Sequence, residues 1–309
     1  MGEDSKKSGE IGEKLTTNIL SSIGWLMSLH NVSIKCNTPE HLSEKGKQRS
    51  THGEDQIYIY HNPFHDETTN IVHISVKNNI KKYPAEGTLK SKFKNYIKEL
   101  QETIDCARHS PELKALNIAN NSRKNKVNIG LIIWLHNDKE NIECDIISIL
   151  STIRVEQNIK YPMYLIDNAR ASFLLKIVDD IKNRFSDKKI SFFYPKIGSA
   201  ILVEENRSGN SLPLELIASE VIPFTINDGN AISLIFYANQ SFSLDSYKKL
   251  IAYSLQFSSG LVQEIRIGMP DYNPTKHEQE AKIARMHFSN REEEIIPFSF
   301  NRSMLSFLE

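Results

Sequence analysis

The stretch from His52 to Tyr83, HGEDQIYIYHNPFHDETTNIVHISVKNNIKKY, constrains this chain more than any other. Two runs of alternating or β-branched residues, Gln56–Tyr60 and Ile71–Val76, flank a segment from Asn62 to Asn70 that holds Asn, Pro and Asp. Period-2 runs around backbone breakers predict a β-hairpin. Asp55 heads the first strand and Lys77 closes the second, so antiparallel pairing sets those two ends side by side. A carboxylate there can hold a hard divalent cation, while a lysine orients or deprotonates a water or neutralises a transition state. The ordinary alternative is a surface ion pair at the mouth of the hairpin.

The flanking sequence supplies helices and one more strand. Ile11, Leu15, Ile19 and Ile23 mark one apolar stripe of a helix expected over about Ser5–Met27. Thr16, Thr17, Leu20, Gly24 and Met27 mark a second stripe, begun by Glu13. Two stripes predict a largely enclosed helix, in which an acid is costly unless it meets a cation or a donor. Glu10, one turn earlier, is the fallback. Residues 35–51 are polar and aperiodic and read as a loop. Then come His52, a candidate for orienting a ligand or joining it, and Gly53. Leu89, Phe93, Ile97, Leu100 and Ile104 predict a helix over Thr88–Arg108, with Lys90, Lys94 and Lys98 projecting together at spacing four. Residues 109–126 read as a loop, and Val127–Leu135 as a strand buried on both faces.

Beyond about residue 138 the pattern alternates. Strands are expected at 163–166, 190–194, 201–203, 221–226, 232–237, 261–267 and 295–300. Helices are expected at 173–185, 244–257 and 276–294. This is a mixed α/β pattern without a phosphate-binding glycine fingerprint or a nucleophile elbow. The expected division is a first domain over 1–140 and an α/β accessory domain over 141–309, for partner binding or target recognition.

Lys and Arg total 38, as do Asp and Glu, so net charge alone argues for no nucleic-acid partner. Local charge does: from Lys77 to Lys98 there are seven lysines and one acid, Glu86. A basic track leading away from Lys77 suits phosphate contacts, with Lys81, Lys82, Lys90, Lys94 and Lys98 as the candidates. No apolar run approaches a membrane span, and the N-terminus lacks the apolar core of a secretory signal. Cys36, Cys106 and Cys144 are odd in number and widely spaced, which argues for reduced thiols in a cytoplasm and against a zinc site or a disulfide frame.

The order of these features resembles the PD-(D/E)XK nuclease family. That family carries an acid on its first helix, an Asp at a strand start, and an acidic-x-Lys triplet on the next strand. Glu13 and Asp55 match the first two. Ser75-Val76-Lys77 matches the triplet, with Ser75 where an acid usually stands. More narrowly, GEIGEK, GW, HGED, ISVK and YP in this order look like the nuclease-like subunit of a two-gene antiphage defence system of phage satellites and defence islands.

The resemblance implies a restriction-endonuclease-like core of helix, hairpin plus strand, helix and strand. It implies a metal-dependent endonuclease acting on DNA, with Glu13, Asp55, Ser75 and Lys77 at the catalytic centre. Mg²⁺ or Mn²⁺ would be held by Glu13, Asp55 and the carbonyl of Val76, with His52 and Glu10 behind them. Ser75 contributes no charge, so a neighbour such as Glu54 or a substrate phosphate would have to complete the site. A second protein subunit encoded nearby is the implied partner. The competing reading is an inactive nuclease-like subunit that binds nucleic acid or a protein.

Overall fold

The computed structural model describes residues 2–300 except 27, 44–45, 80, 138–141, 154–158, 199–206, 230 and 259, with side chains from Gly9 onward. The chain divides into two compact units, residues 1–172 and 173–309.

The first unit is a five-stranded mixed sheet, ordered β1-β2-β3-β4-β5. α1 (Gly2–Ser22) precedes β1 (Leu29–Lys35), β2 (Thr51–His61) and β3 (Thr68–Asn79). α2 (Glu86–Ala107) and α3 (Pro111–Ala119) lead to β4 (Asn125–His136). α4 (Ile147–Leu150) and β5 (Met163–Ile166) follow, and α5 (Asn168–Arg184) starts here with most of its length in the second unit. β1, β2 and β3 pair antiparallel, as the hairpin pattern predicts. β4 and β5 join parallel. β4 is buried from Ile129 to His136, as its unbroken apolar run requires.

One helix covers each face near the hairpin. On one side Ile19 and Leu20 of α1 and Ile23 just after it are buried, and Trp25 stacks on Tyr58 of β2 at 4.5 Å. A Cβ at Gly12 would stand 2.4 Å from the Cβ of Asn78, so only glycine lets α1 lie this close to β3. On the other side Leu89, Ile97, Leu100 and Ile104 of α2 pack on Ile132 and Trp134 of β4.

Several expectations need correction. α1 ends at Ser22, and it is not enclosed: Ile11 and Thr17 are exposed and Glu13 is half-buried. β1 lies where no strand was expected, because as an edge strand it buries only Ile34. α3 occupies the expected loop 109–126. Ser110 caps it by accepting from the Leu113 amide, and Pro111 opens it. The first sheet also continues past residue 140, because β5 pairs with β4.

The second unit holds a six-stranded mixed sheet, ordered β11-β10-β9-β8-β6-β7. Its elements are β6 (Lys189–Phe193), β7 (Ser208–Gly209), α6 (Leu214–Ile217), β8 (Val221–Asn227), β9 (Ile232–Ala238), α7 (Leu244–Ser258), β10 (Glu264–Met269), α8 (Pro274–Met286) and β11 (Glu294–Ser299). α7 and α8 bury Tyr247, Leu250, Ile251, Ala281 and Ala284 against Phe236, Ile265 and Ile267 of the sheet. α8 is shorter than the charged run 276–294 suggested, and the expected strand 201–203 lies outside the described residues.

Candidate active site

The site begins where two strands part. The β2–β3 ladder runs from His61↔Thr69 to Gln56↔Ile74. Beyond it β3 stays paired with β4 as far as Asn79↔His136, while β2 continues against β1 to Thr51↔Lys35. The Asp55 side chain bridges the gap: its Oδ2 accepts from the Val76 amide at 2.6 Å. The amide and carbonyl of one strand residue point to the same side, so the Val76 carbonyl faces this opening too.

The strand is irregular here. Asn31 has φ of 53°, and neither it nor Asp55 belongs to the paired residues of β1 and β2. Side-chain alternation breaks at this point. His52 and Glu54 lie on the side of α2, and so does Ile57, three residues after Glu54. As a result Gly53, Glu54 and Asp55 all border one cavity of about 210 Å³, with Ser75, Lys77, Arg49, Glu99 and Thr103. A regular strand would present only alternate residues.

The electrostatics of this cavity are uneven. Burial pushes the Asp55 carboxyl above its usual range; the Val76 amide and Lys77 pull it down, and Glu13 and Glu54 push it up again. Glu54 is 3 % exposed. Its Oε1 bonds Nδ1 of the buried His73, whose Nε2 meets Asn128 Oδ1 at 3.0 Å. Burial opposes the charged imidazole, but Glu54 outweighs it, so the His73 pKa is raised. Glu54 Oε2 is buried with no hydrogen-bond partner. An acceptor left bare in a cavity that already holds Asp55 fits a hard cation, which takes oxygen ligands and tolerates one or two carboxylates plus water and phosphate. Lys77 Nζ lies 3.2 Å from Glu99 Oε2 and 4.8 Å from the centre of the Tyr96 ring. Arg49 reaches the other Glu99 oxygen at 3.7 Å.

The structure therefore brings Asp55, Ser75, Val76 and Lys77 together. Glu13 is near enough to act on Asp55 electrostatically but does not line the cavity, and Glu10 is exposed. Glu13, Glu54 and Asp55 do not converge into a closed ligand cluster among the described residues. Lys90 pairs with Glu86, and Lys98 with Glu102 at 3.8 Å, so part of the basic track is internally balanced. Lys81 and Lys82 are exposed and Lys94 is half-buried.

Glu99 is the residue that sequence reasoning missed. It carries a carboxylate to Lys77 from α2, and its signal was an acid just after the lysine-rich run. The expectation about cysteines also needs correction. Cys36 and Cys106 are not isolated thiols: they meet each other and two histidines, because the fold joins the end of β1 to α2.

Among the described residues no helix is long and apolar enough to cross a membrane. Comparison with curated proteins gives no match. The profile of the GAPS4 protein PD-(D/E)XK nuclease domain matches residues 1–170, a span that contains the parted strands, Asp55, the Ser75-Val76-Lys77 triplet and both flanking helices. The chain belongs to this PD-(D/E)XK nuclease-like family.

Proposed function

We propose that this chain is a divalent-metal-dependent nuclease that hydrolyses DNA phosphodiester bonds at the cavity between β2, β3 and α2. The single observation that carries the reading is the bare Glu54 Oε2 beside Asp55 and Lys77 in one cavity. Asp55 and Glu54 supply the ionic ligands for Mg²⁺ or Mn²⁺, with the Val76 carbonyl as a neutral one and Glu13 adding negative potential. A bound cation would polarise the phosphate and lower the pKa of a water.

The chain's own groups do the rest. Lys77 is pre-oriented by Glu99 and Tyr96, so its ammonium meets charge building on the phosphate with little reorganisation. Glu99 provides on α2 the negative charge that Ser75 does not provide on β3. Ionised Asp55 is costly while nothing opposes it, which favours cation binding. Lys81, Lys82, Lys90, Lys94 and Lys98 contact backbone phosphates; the Lys90 and Lys98 pairs are surface pairs of low worth and exchange readily for phosphate.

The second reading, a nuclease-like subunit that binds without cutting, draws on one observation: Ser75 is uncharged and Lys77 already has a carboxylate partner. Under either reading we infer a role in antiphage defence with a second protein subunit, the α/β second unit serving partner binding or target recognition. The test is cleavage of duplex DNA, single-stranded DNA and RNA by the purified chain with Mg²⁺, alone and with the product of the adjacent gene. Metal-dependent cutting of DNA supports the enzyme. Binding without cutting in every mixture selects the second reading.

A further inference from the structure

Away from the acidic cavity, four side chains from two elements and the β1–β2 connection converge. Cys36 follows β1, His41 lies in the β1–β2 connection, His52 is in β2, and Cys106 is in the last turn of α2. One ligand atom from each lies within 4.8 Å of all the others. His52 and Cys106 are 1 % exposed and His41 is 7 % exposed, while Cys36 is half-buried at the edge of the cluster.

The separations are informative. Cys106 Sγ to Cys36 Sγ is 3.9 Å, and His41 Nδ1 to His52 Nε2 is 3.2 Å. Cys36 Sγ to His41 Nδ1 is 3.7 Å, and Cys106 Sγ to His41 Nδ1 is 3.5 Å. A tetrahedral Zn²⁺ with bonds of about 2.3 Å to sulfur and about 2.05 Å to nitrogen has edges of about 3.8 Å between sulfurs, about 3.3 Å between nitrogens and about 3.6 Å between the two kinds. These four of the six edges follow that order and lie within about 0.2 Å of those values; the two from His52 to the sulfurs are within 4.8 Å.

Charge points the same way. No carboxylate is among the four ligands. Two thiolates and two neutral imidazoles around a divalent zinc ion sum to zero, the arrangement a buried site without a counter-ion favours. Without a cation, the same pocket holds two ring nitrogens facing each other and two thiols with only weak hydrogen bonds.

We propose that Cys36, His41, His52 and Cys106 form a structural Zn²⁺ site. Binding forms four bonds to zinc and releases the two thiol protons to solvent. The site ties the start of β2, three residues before Asp55, to the end of α2, seven residues after Glu99. It thereby fixes the two walls of the acidic cavity, but it stands on its own ligand geometry and does not depend on the nuclease reading.

The test is elemental analysis of the full-length chain, purified under reducing conditions without chelator or an immobilised-metal column. About one zinc per chain is expected, falling at least about tenfold in Cys36→Ser and Cys106→Ser. Loss of a buried ligand also destabilises the fold, so the wild-type protein supplies the second measurement. After removal of zinc and loading with Co²⁺, it should show the ligand-field bands of tetrahedral cobalt and a thiolate charge-transfer band, both erased by added Zn²⁺. Folded wild-type protein that holds no zinc and gives no such spectrum would overturn the proposal.

Discussion

Asp180 in the second unit and the Glu54–Asp55 pair in the first are carboxylates withdrawn from solvent in opposite ways. In the second unit Asp180 of α5 is 4 % exposed, and both of its oxygens are occupied. Arg184 donates to them at 3.0 and 2.8 Å, and the Tyr237 hydroxyl donates at 2.7 Å. In the first unit Glu54 leaves an oxygen bare, and Asp55 is held above its ordinary pKa by burial. A buried acid that exists to hold the fold together is satisfied from within. One that meets a ligand is left partly unsatisfied and is a liability until the ligand arrives. Asp180 is of the first kind. We read Glu54 and Asp55 as the second.

Breaking each acid should separate the two kinds. The largest effect expected is on chemistry: Asp55→Ala and Lys77→Ala should each lower the cleavage rate by about 10³-fold or more with the circular dichroism spectrum unchanged. Ser75→Ala removes no charge and should cost far less; equal loss from Ser75→Ala and Asp55→Ala would make the hydroxyl a ligand or orienter. Asp180→Ala should do the reverse. It should cost about 2–4 kcal/mol of stability by denaturant unfolding, because it strands Arg184 and the Tyr237 hydroxyl, and it should not change metal dependence.

A smaller effect sharpens the contrast through pH. Because the folded pKa of Asp55 is raised, the favourable protonated form is complete below the unfolded pKa and is lost as pH rises through the folded one. At neutral pH the metal-free protein therefore carries the penalty of the ionised form. Asp55→Asn should raise the metal-free Tm and abolish the further rise that Mg²⁺ or Mn²⁺ gives the wild type. A variant less stable than wild type at neutral pH without metal would place Asp55 with Asp180. The smallest effect concerns the basic face. Replacing Lys90, Lys94 and Lys98 with Gln should weaken DNA binding about equally for all sequences and flatten its salt dependence, read from affinities at several salt concentrations.

What was legible in the sequence follows the range of the interactions. The hairpin, β4 and α2 rest on local periodicity, which one strand or helix reveals by itself. Asp55 and Lys77 were legible because they lie just beyond the last pair of a hairpin ladder that a short turn closes, although β2 itself starts earlier, at Thr51. β1 was not, since an edge strand that fully buries one residue of seven has little apolar pattern to show. α3 was hidden because its amphipathic face buries only Leu113, although Ser110-Pro111 was a capping signal. Glu99 and the Cys106 cluster depend on how α2 lies on the sheet. Cys36 and Cys106 stand 70 residues apart, and no spacing rule reaches across that distance.

The most direct test of the central claim is single-turnover cleavage of duplex DNA by the chain and its partner subunit, with Mg²⁺ varied, in wild type, Asp55→Asn and Lys77→Ala. The account predicts cutting that saturates with Mg²⁺ in the wild type and is reduced by about 10³-fold or more in both variants at every metal concentration. Cleavage by either variant at the wild-type rate, or wild-type cleavage undiminished by EDTA, would contradict it.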